Sequence, residues 1–314
     1  MKYERGMKEM AKKKQGKRNL KKVFVLFLVV AMMSGLCGCG EKKVIHIASK
    51  PMTEQYILTE IIAQLIEAET DYETEITKGV GGGTTNIHPA LVKGEFDLYP
   101  EYTRTAWLNV LKREEMEKDD EKLYAQLQEE YADLGLTWTG LYGFSNTYGL
   151  ALRQETAEQY GLGTYSDLAA VSGELTFGGN PDYIELETGY PRLCEAYGMQ
   201  FKDVKQMEIA LKYEALINGE VDVINAFTTD AQLAANSLVL LTDDGSFFER
   251  FDAGTIVRKD ALEKYPKLED VLEKLNGLIS EDEMQQLNYE VEVNGKEDKE
   301  VARQFLVTKG LLSE

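Results

Sequence analysis

Histidine and cysteine are scarce in this sequence, with two and three respectively among 314 residues. His46 falls in an apolar stretch and His88 stands beside Pro89, neither with a cysteine or carboxylate at metal-ligand spacing. No nucleophile elbow, zinc pattern or phosphate loop occurs. The glycines Gly81, Gly82 and Gly83 lack the Lys-Ser/Thr signature that would follow them in a phosphate loop, and they suit a tight turn that exposes backbone N–H groups. Carboxylates are so many that no single pair marks an acid–base dyad. Neither an enzyme nor a cofactor is expected. Positive charge is also short, 35 Lys/Arg against 54 Asp/Glu, for a formal net charge of −19. Ten of those basic residues lie in the first 38 positions beside only two acidic ones, so the remainder is more acidic still. That balance excludes a nucleic-acid partner and an electrostatic grip on anionic lipid. Besides solubility, it mildly favours a cationic ligand through long-range attraction.

Long apolar runs are missing as well. The run from Val23 to Met33 has 11 residues, whereas a helix needs ~20 to span a bilayer. Preceded by Lys12, Lys13, Lys14, Lys17, Arg18, Lys21 and Lys22, it has the form of a signal-peptide core. Leu36-Cys37-Gly38-Cys39 follows and resembles the lipobox of bacterial lipoproteins. Residues 1–38 then form a leader, Cys39 is the lipidated first mature residue, and residues 39–43 are a linker. The alternatives are a retained signal anchor or ordinary secretion with a free cysteine, and Met7 or Met10 could open an equally good leader. Two acyl chains hold a protein at a membrane where one does not. The expected place is therefore extracytoplasmic, anchored to the outer face of the cytoplasmic membrane. With Cys39 lipidated, Cys194 has no disulfide partner, and stability must come from core burial.

What is present is α/β patterning. Val44-Ile45-His46-Ile47-Ala48 reads as a strand, Ser49 to Met52 as the loop at its C-terminal end, and Thr53 as the cap of a helix with Tyr56, Ile57, Ile61 and Leu65 at helical spacing. A second strand around Glu75–Thr77 leads through the glycine turn to a helix ending at Lys93 and interrupted near Pro89. Arg113 to Asp133 reads as an acidic, solvated helical face. Gly143 to Arg153 reads as a crossover between lobes, with a return near Phe248 to Val257. One lobe then takes residues 44–145 plus 252–314, and the second, 146–251, is inserted between them. Helices from Asp260 to Gly277 and from Glu281 to Leu287 close the first lobe from behind.

An internal echo stands out. Gly94-Glu95-Phe96-Asp97-Leu98-Tyr99-Pro100-Glu101-Tyr102-Thr103 is matched by Gly219-Glu220-Val221-Asp222-Val223-Ile224-Asn225-Ala226-Phe227-Thr228. Each copy has a glycine ending a helix, a short apolar strand, then an aromatic and a threonine. Ligands of open α/β sheets bind at the carboxyl ends of strands, so Tyr102 and Phe227 are expected to face one cleft from opposite lobes. Tyr148 and Phe251 fall at further strand ends. A tetraalkylammonium group has no N–H to donate, and π-faces that surround its methyls hold it at ~0.5–2 kcal/mol each.

The segments Ser49-Lys50-Pro51-Met52-Thr53-Glu54-Gln55-Tyr56-Ile57, Gly94 to Thr105, Phe144 to Arg153, Gly219 to Asp230 and Leu287-Asn288-Tyr289 resemble the glycine betaine/carnitine/choline (osmoprotectant) binding proteins of ABC importers. The resemblance covers essentially the whole chain behind the leader. It implies a two-lobed type 2 periplasmic-binding-protein fold with the ligand between the lobes, and a permease with ATPase subunits as partners. It places an aromatic cage on Tyr102, Tyr148, Phe227 and Phe251 and a clamp for a ligand carboxylate on Lys50, Gln55 and Thr105. Positions 227 and 251 are usually tyrosine in such proteins, and phenylalanine keeps the π-face. Leu186 stands where relatives often carry an arginine. Arg104 replaces a glycine and either supplies that charge or faces solvent. Asp252 replaces a second tyrosine and would favour a net cation. Leu186 and Asp252 point to choline, whereas Lys50, Gln55 and Thr105 point to a betaine. The rival readings are a binding protein of this fold for an amino acid or other zwitterion, and a sensor lipoprotein outside transport.

Overall fold

The computed structural model describes residues 43–113, 117–185 and 189–313. The leader, Cys39 and Leu186 lie outside the described residues. Two five-stranded sheets organise the chain. The first contains β1 (Val44–Ala48), β2 (Glu73–Thr77), β3 (Leu98–Tyr102), β4 (Leu136–Ser145) and β10 (Asp252–Arg258), in the order β2-β1-β3-β10-β4. The second contains β5 (Tyr148–Arg153), β6 (Thr176–Gly179), β7 (Asp203–Gln206), β8 (Val223–Phe227) and β9 (Leu238–Leu240), in the order β7-β6-β8-β5-β9. In each sheet the first three strands run parallel and the fourth is antiparallel to the third. The fold is α/β with helices flanking both sheets, as expected.

The echo lies on matching strands, β3 and β8, each third in its sheet. Gly94 (φ +85°) and Gly219 (φ +74°) end the preceding helices in the left-handed region, where a Cβ is disfavoured. The aspartates repeat as well. Asp97 accepts from the His46 backbone N–H at 2.8 Å and lies 3.5 Å from Arg258, while Asp222 accepts from the Thr176 N–H at 2.9 Å and from Arg153 at 3.2 Å. In both copies a carboxylate fastens the third strand to its parallel neighbour and to an arginine at the end of the antiparallel one.

Helix α1 (Thr53–Glu69) covers the first sheet with Ile57, Leu58, Ile61, Ile62, Leu65 and Ile66, all buried. Each such side chain contributes about 1.5–3 kcal/mol relative to exposure. Met52, not Thr53, occupies the capping position, and no side chain caps this end. Helix α2 (Thr84–Lys93) continues through Pro89 and is not interrupted there, although the proline removes one backbone donor inside it. The acidic stretch forms α3 (Asp120–Asp133), capped by Asp119, and it is not wholly solvated: Leu123, Leu127 and Tyr131 are buried against Trp138 and Tyr99. Behind the first sheet, α4 (Glu281–Glu292) extends past Leu287, and α5 (Asp298–Thr308), with buried Val301, Ala302, Phe305 and Leu306, packs on α1. Between residues 260 and 277 there are two short helices, Lys259–Lys264 and Leu268–Glu273.

Candidate functional site

Residues at four strand ends converge on the crossover Ser145–Thr147. Tyr148 opens β5, and its register partner is Phe227, the last residue of β8. Their rings stack at 4.6 Å with an interplanar angle of 23°. Thr228, next to Phe227, donates its hydroxyl to the Ser145 carbonyl at 2.6 Å and accepts from the Thr147 N–H at 3.1 Å. Phe251, just before β10, donates its N–H to the Ser145 hydroxyl at 2.8 Å, and its carbonyl accepts from the Asn146 N–H at 3.2 Å. Tyr102, the last residue of β3, pairs with Ala253 on β10. Its phenol donates to Glu54, which also accepts from the Asn146 amide at 3.2 Å.

The four rings fall into two groups. Tyr148 and Phe227 stack on each other, with Tyr183 and Phe248 beside Tyr148 at 5.2 and 6.0 Å. Tyr102 and Phe251 belong to the core of the first sheet. The stacked pair is too close to admit an ammonium group between its members, so it offers outer faces and edges. Phe227 is 40% exposed, which is unusual for so large an apolar side chain beside a sheet core. Tyr102 is nearly sealed, and the Lys50 ammonium lies 4.7 Å from its ring centroid, so one of its faces already holds a cation.

The polar clamp divides likewise. Lys50 pairs with Glu101, a fully buried carboxylate that also accepts from the Thr84 hydroxyl at 2.6 Å and the Tyr102 N–H at 2.7 Å. Its charge is therefore spent inside the protein. Gln55 is fully buried with neither amide atom hydrogen-bonded. Beside it, burial and then the Glu54 charge hold the Tyr102 pKa well above the usual tyrosine range. Thr105, half-buried in the helical turn after β3, makes no hydrogen bond through its hydroxyl among the described residues. Gln55 and Thr105 thus keep unused polar atoms, whereas Lys50 does not.

Arg104 neither faces solvent nor supplies a free charge. It is 1% exposed and donates to the Arg250 carbonyl at 2.8 Å, the Glu117 carbonyl at 2.7 Å and Asp120 at 2.6 Å. It fastens α3 to the return crossover. Asp252, whose pKa is raised by burial, is neutralised by Arg250 at 2.8 Å and does not stand as a lone anion. His46 is exposed, 3.6 Å from Glu75, and His88 is buried against Tyr131 and the Tyr99 hydroxyl. Among the described residues no group of His, Cys, Asp and Glu is placed to hold a metal ion.

Sequence reasoning passes over Glu54, Glu101, Asn146 and Asn288. Glu101 is detectable within the echo, where its counterpart is Ala226: a carboxylate in an otherwise apolar strand requires a buried partner.

Residues 43–308 match the family described as the substrate binding domain of ABC-type glycine betaine transport system. The chain is 42% identical over 289 residues to the ergothioneine transport permease/ergothioneine binding protein EgtU of Helicobacter pylori, covering 91% of this chain and 52% of that protein, so it spans about half of that relative. It is 38% identical over 284 residues to the carnitine transport binding protein OpuCC of Listeria monocytogenes, covering 90% of this chain and 91% of the relative. A crystal structure described as a glycine betaine/carnitine/choline ABC transporter superposes with a TM-score of 0.80 at 32% identity, over 85% of this chain and 99% of the other.

Proposed function

This chain belongs to the substrate-binding domains of ABC-type glycine betaine transport systems, and on that premise we propose that it captures a trimethylammonium zwitterion with Tyr102, Tyr148, Phe227 and Phe251 and delivers it to a membrane permease driven by ATPase subunits. One observation carries the reading: the crossover Ser145–Thr147 is bonded to Phe251 just before β10, to Thr228 beside Phe227 at the end of β8 and, through Glu54, to Tyr102 at the end of β3, and it leads directly into Tyr148 at the start of β5. A ligand that bridged them would bias this segment toward closure, since binding energy shared by two bodies shifts their equilibrium. Residues 44–145 with 252–314 form one lobe and 146–251 the other. Cys39, lipidated, holds the protein at the outer face of the cytoplasmic membrane.

The ligand is a betaine and not choline. Gln55 has unspent amide atoms that suit a carboxylate, Thr105 has a hydroxyl without a hydrogen bond among the described residues, and a buried unsatisfied amide costs about 1–3 kcal/mol that a bound acceptor removes. Asp252 gives no support to a bare cation, because Arg250 neutralises it. The names of the relatives speak of ergothioneine and carnitine, both of which join a trimethylated nitrogen to a carboxylate. The exposed Phe227, stacked on Tyr148, also favours a ligand with a flat ring, as ergothioneine has, placed as a further layer.

A thermal-shift and calorimetry panel of ergothioneine, carnitine, glycine betaine, choline and unmethylated amino acids tests this. A betaine at 100 times its dissociation constant is expected to stabilise the fold by about 2.7 kcal/mol, and choline to bind more weakly than the betaines. Tight binding confined to unmethylated amino acids contradicts the reading.

A further inference from the structure

We propose that Glu54 is a positioning residue that locks the Tyr102 ring for a cationic ligand and joins it to the crossover and to the loop after β8. The inference rests on the ligand reading above and concerns how that site is held.

Glu54 lies on the first turn of α1 and is 3% exposed. Its carboxyl collects donors from separate parts of the chain: the Tyr102 phenol on β3, the Asn146 amide at 3.2 Å in the crossover and the Asn288 amide at 3.4 Å on α4. Asn288 in turn donates to the Thr229 carbonyl at 2.9 Å, two residues past Phe227. A single carboxyl therefore bonds one cage residue and reaches, directly or through one amide, the two segments that position the others.

Among the described residues no lysine or arginine nitrogen pairs with Glu54. Lys50, over the Tyr102 ring on which Glu54 acts, is paired with Glu101, and these two charges neutralise each other. Burial without a counter-ion raises the Glu54 pKa, against the opposing pull of its hydrogen bonds to Tyr102, Thr229, Asn146 and Asn288. Such a carboxyl beside a cage lacks a cation that the ligand brings. A bound ammonium favours the ionised form, so below the free-state pKa binding must expel a proton, and affinity falls as pH falls.

The test is calorimetric titration of wild type, Glu54→Gln and Tyr102→Phe with ergothioneine, carnitine and glycine betaine, from about pH 8 to about pH 5. Glu54→Gln keeps the shape and removes the charge, and Tyr102→Phe breaks the same bond from the other side with the ring kept. Expected is a dissociation constant in wild type that rises toward low pH, and in Glu54→Gln a loss of about tenfold or more at high pH with a flattened profile. Asp252, with its Arg250 partner, is present in every variant and cannot produce the difference. If wild type binds and Glu54→Gln binds equally at every pH, the inference is wrong and the ligand reading stands. If wild type binds none of the three, the ligand reading is wrong, and amide hydrogen exchange without ligand decides the lock. Faster exchange over residues 146–148 and 228–230 in Glu54→Gln supports it, and unchanged exchange overturns it.

Discussion

Replacing Tyr102 and Phe227 together by alanine is expected to weaken binding of a trimethylammonium compound by between about fivefold and about a thousandfold, since each π-face contributes ~0.5–2 kcal/mol to a bound cation. The two substitutions differ in what else they disturb. Phe227 is 40% exposed, so Phe227→Ala should leave the denaturation midpoint nearly unchanged and report on binding alone. Tyr102 also holds Glu54 and lies under Lys50, so Tyr102→Ala loosens the first sheet as well. Calorimetry of both single variants and the double variant, each with a urea denaturation control, separates the effects. An affinity unchanged in the double variant would falsify the cage.

Lys50→Met is expected to destabilise the fold by about 3–5 kcal/mol, because it leaves the Glu101 carboxylate, fully buried, without its counter-ion. Adding Glu101→Gln should recover most of that loss, as removing both charges of a buried pair is close to neutral. Urea unfolding of the single and double variants measures both effects. The resemblance assigns Lys50 to a ligand carboxylate, and the two roles predict opposite patterns. If Lys50 served the ligand, Lys50→Met would cost affinity and spare stability. A stable Lys50→Met protein with lost affinity would return the residue to the clamp.

How far the sequence could be read follows from contact distance along the chain. The strands of the echo are legible because their determinants are local: a glycine in the left-handed region, an alternation of apolar residues, an aspartate beside the strand. The aromatics at strand ends are legible for the same reason, since sheet topology says which end faces a ligand. The hydrogen bonds around Glu54 are not, because its partners stand 48, 92 and 234 residues away and leave no local pattern. Lys50 illustrates the limit from the other side. Its residue type suits a carboxylate clamp, but Glu101, 51 residues on, takes its charge first. Arg104 is misjudged likewise, since one of its acceptors is the carbonyl of Arg250, 146 residues distant. Helix α5 is a different case: Val301, Ala302, Phe305 and Leu306 carry helical spacing that the neighbouring charges obscure.

The proposed capture of a trimethylammonium ligand depends on one chemical distinction, that rings hold a methylated nitrogen better than a hydrated one. A primary ammonium needs oxygen acceptors in place of the water it leaves, and π-faces supply none. The most direct measurement is calorimetric titration of the wild-type protein with carnitine and with the same molecule bearing a primary amine. The trimethylated compound is expected to bind at least about tenfold more tightly. Equal affinity, or tighter binding of the amine, would contradict the proposed capture.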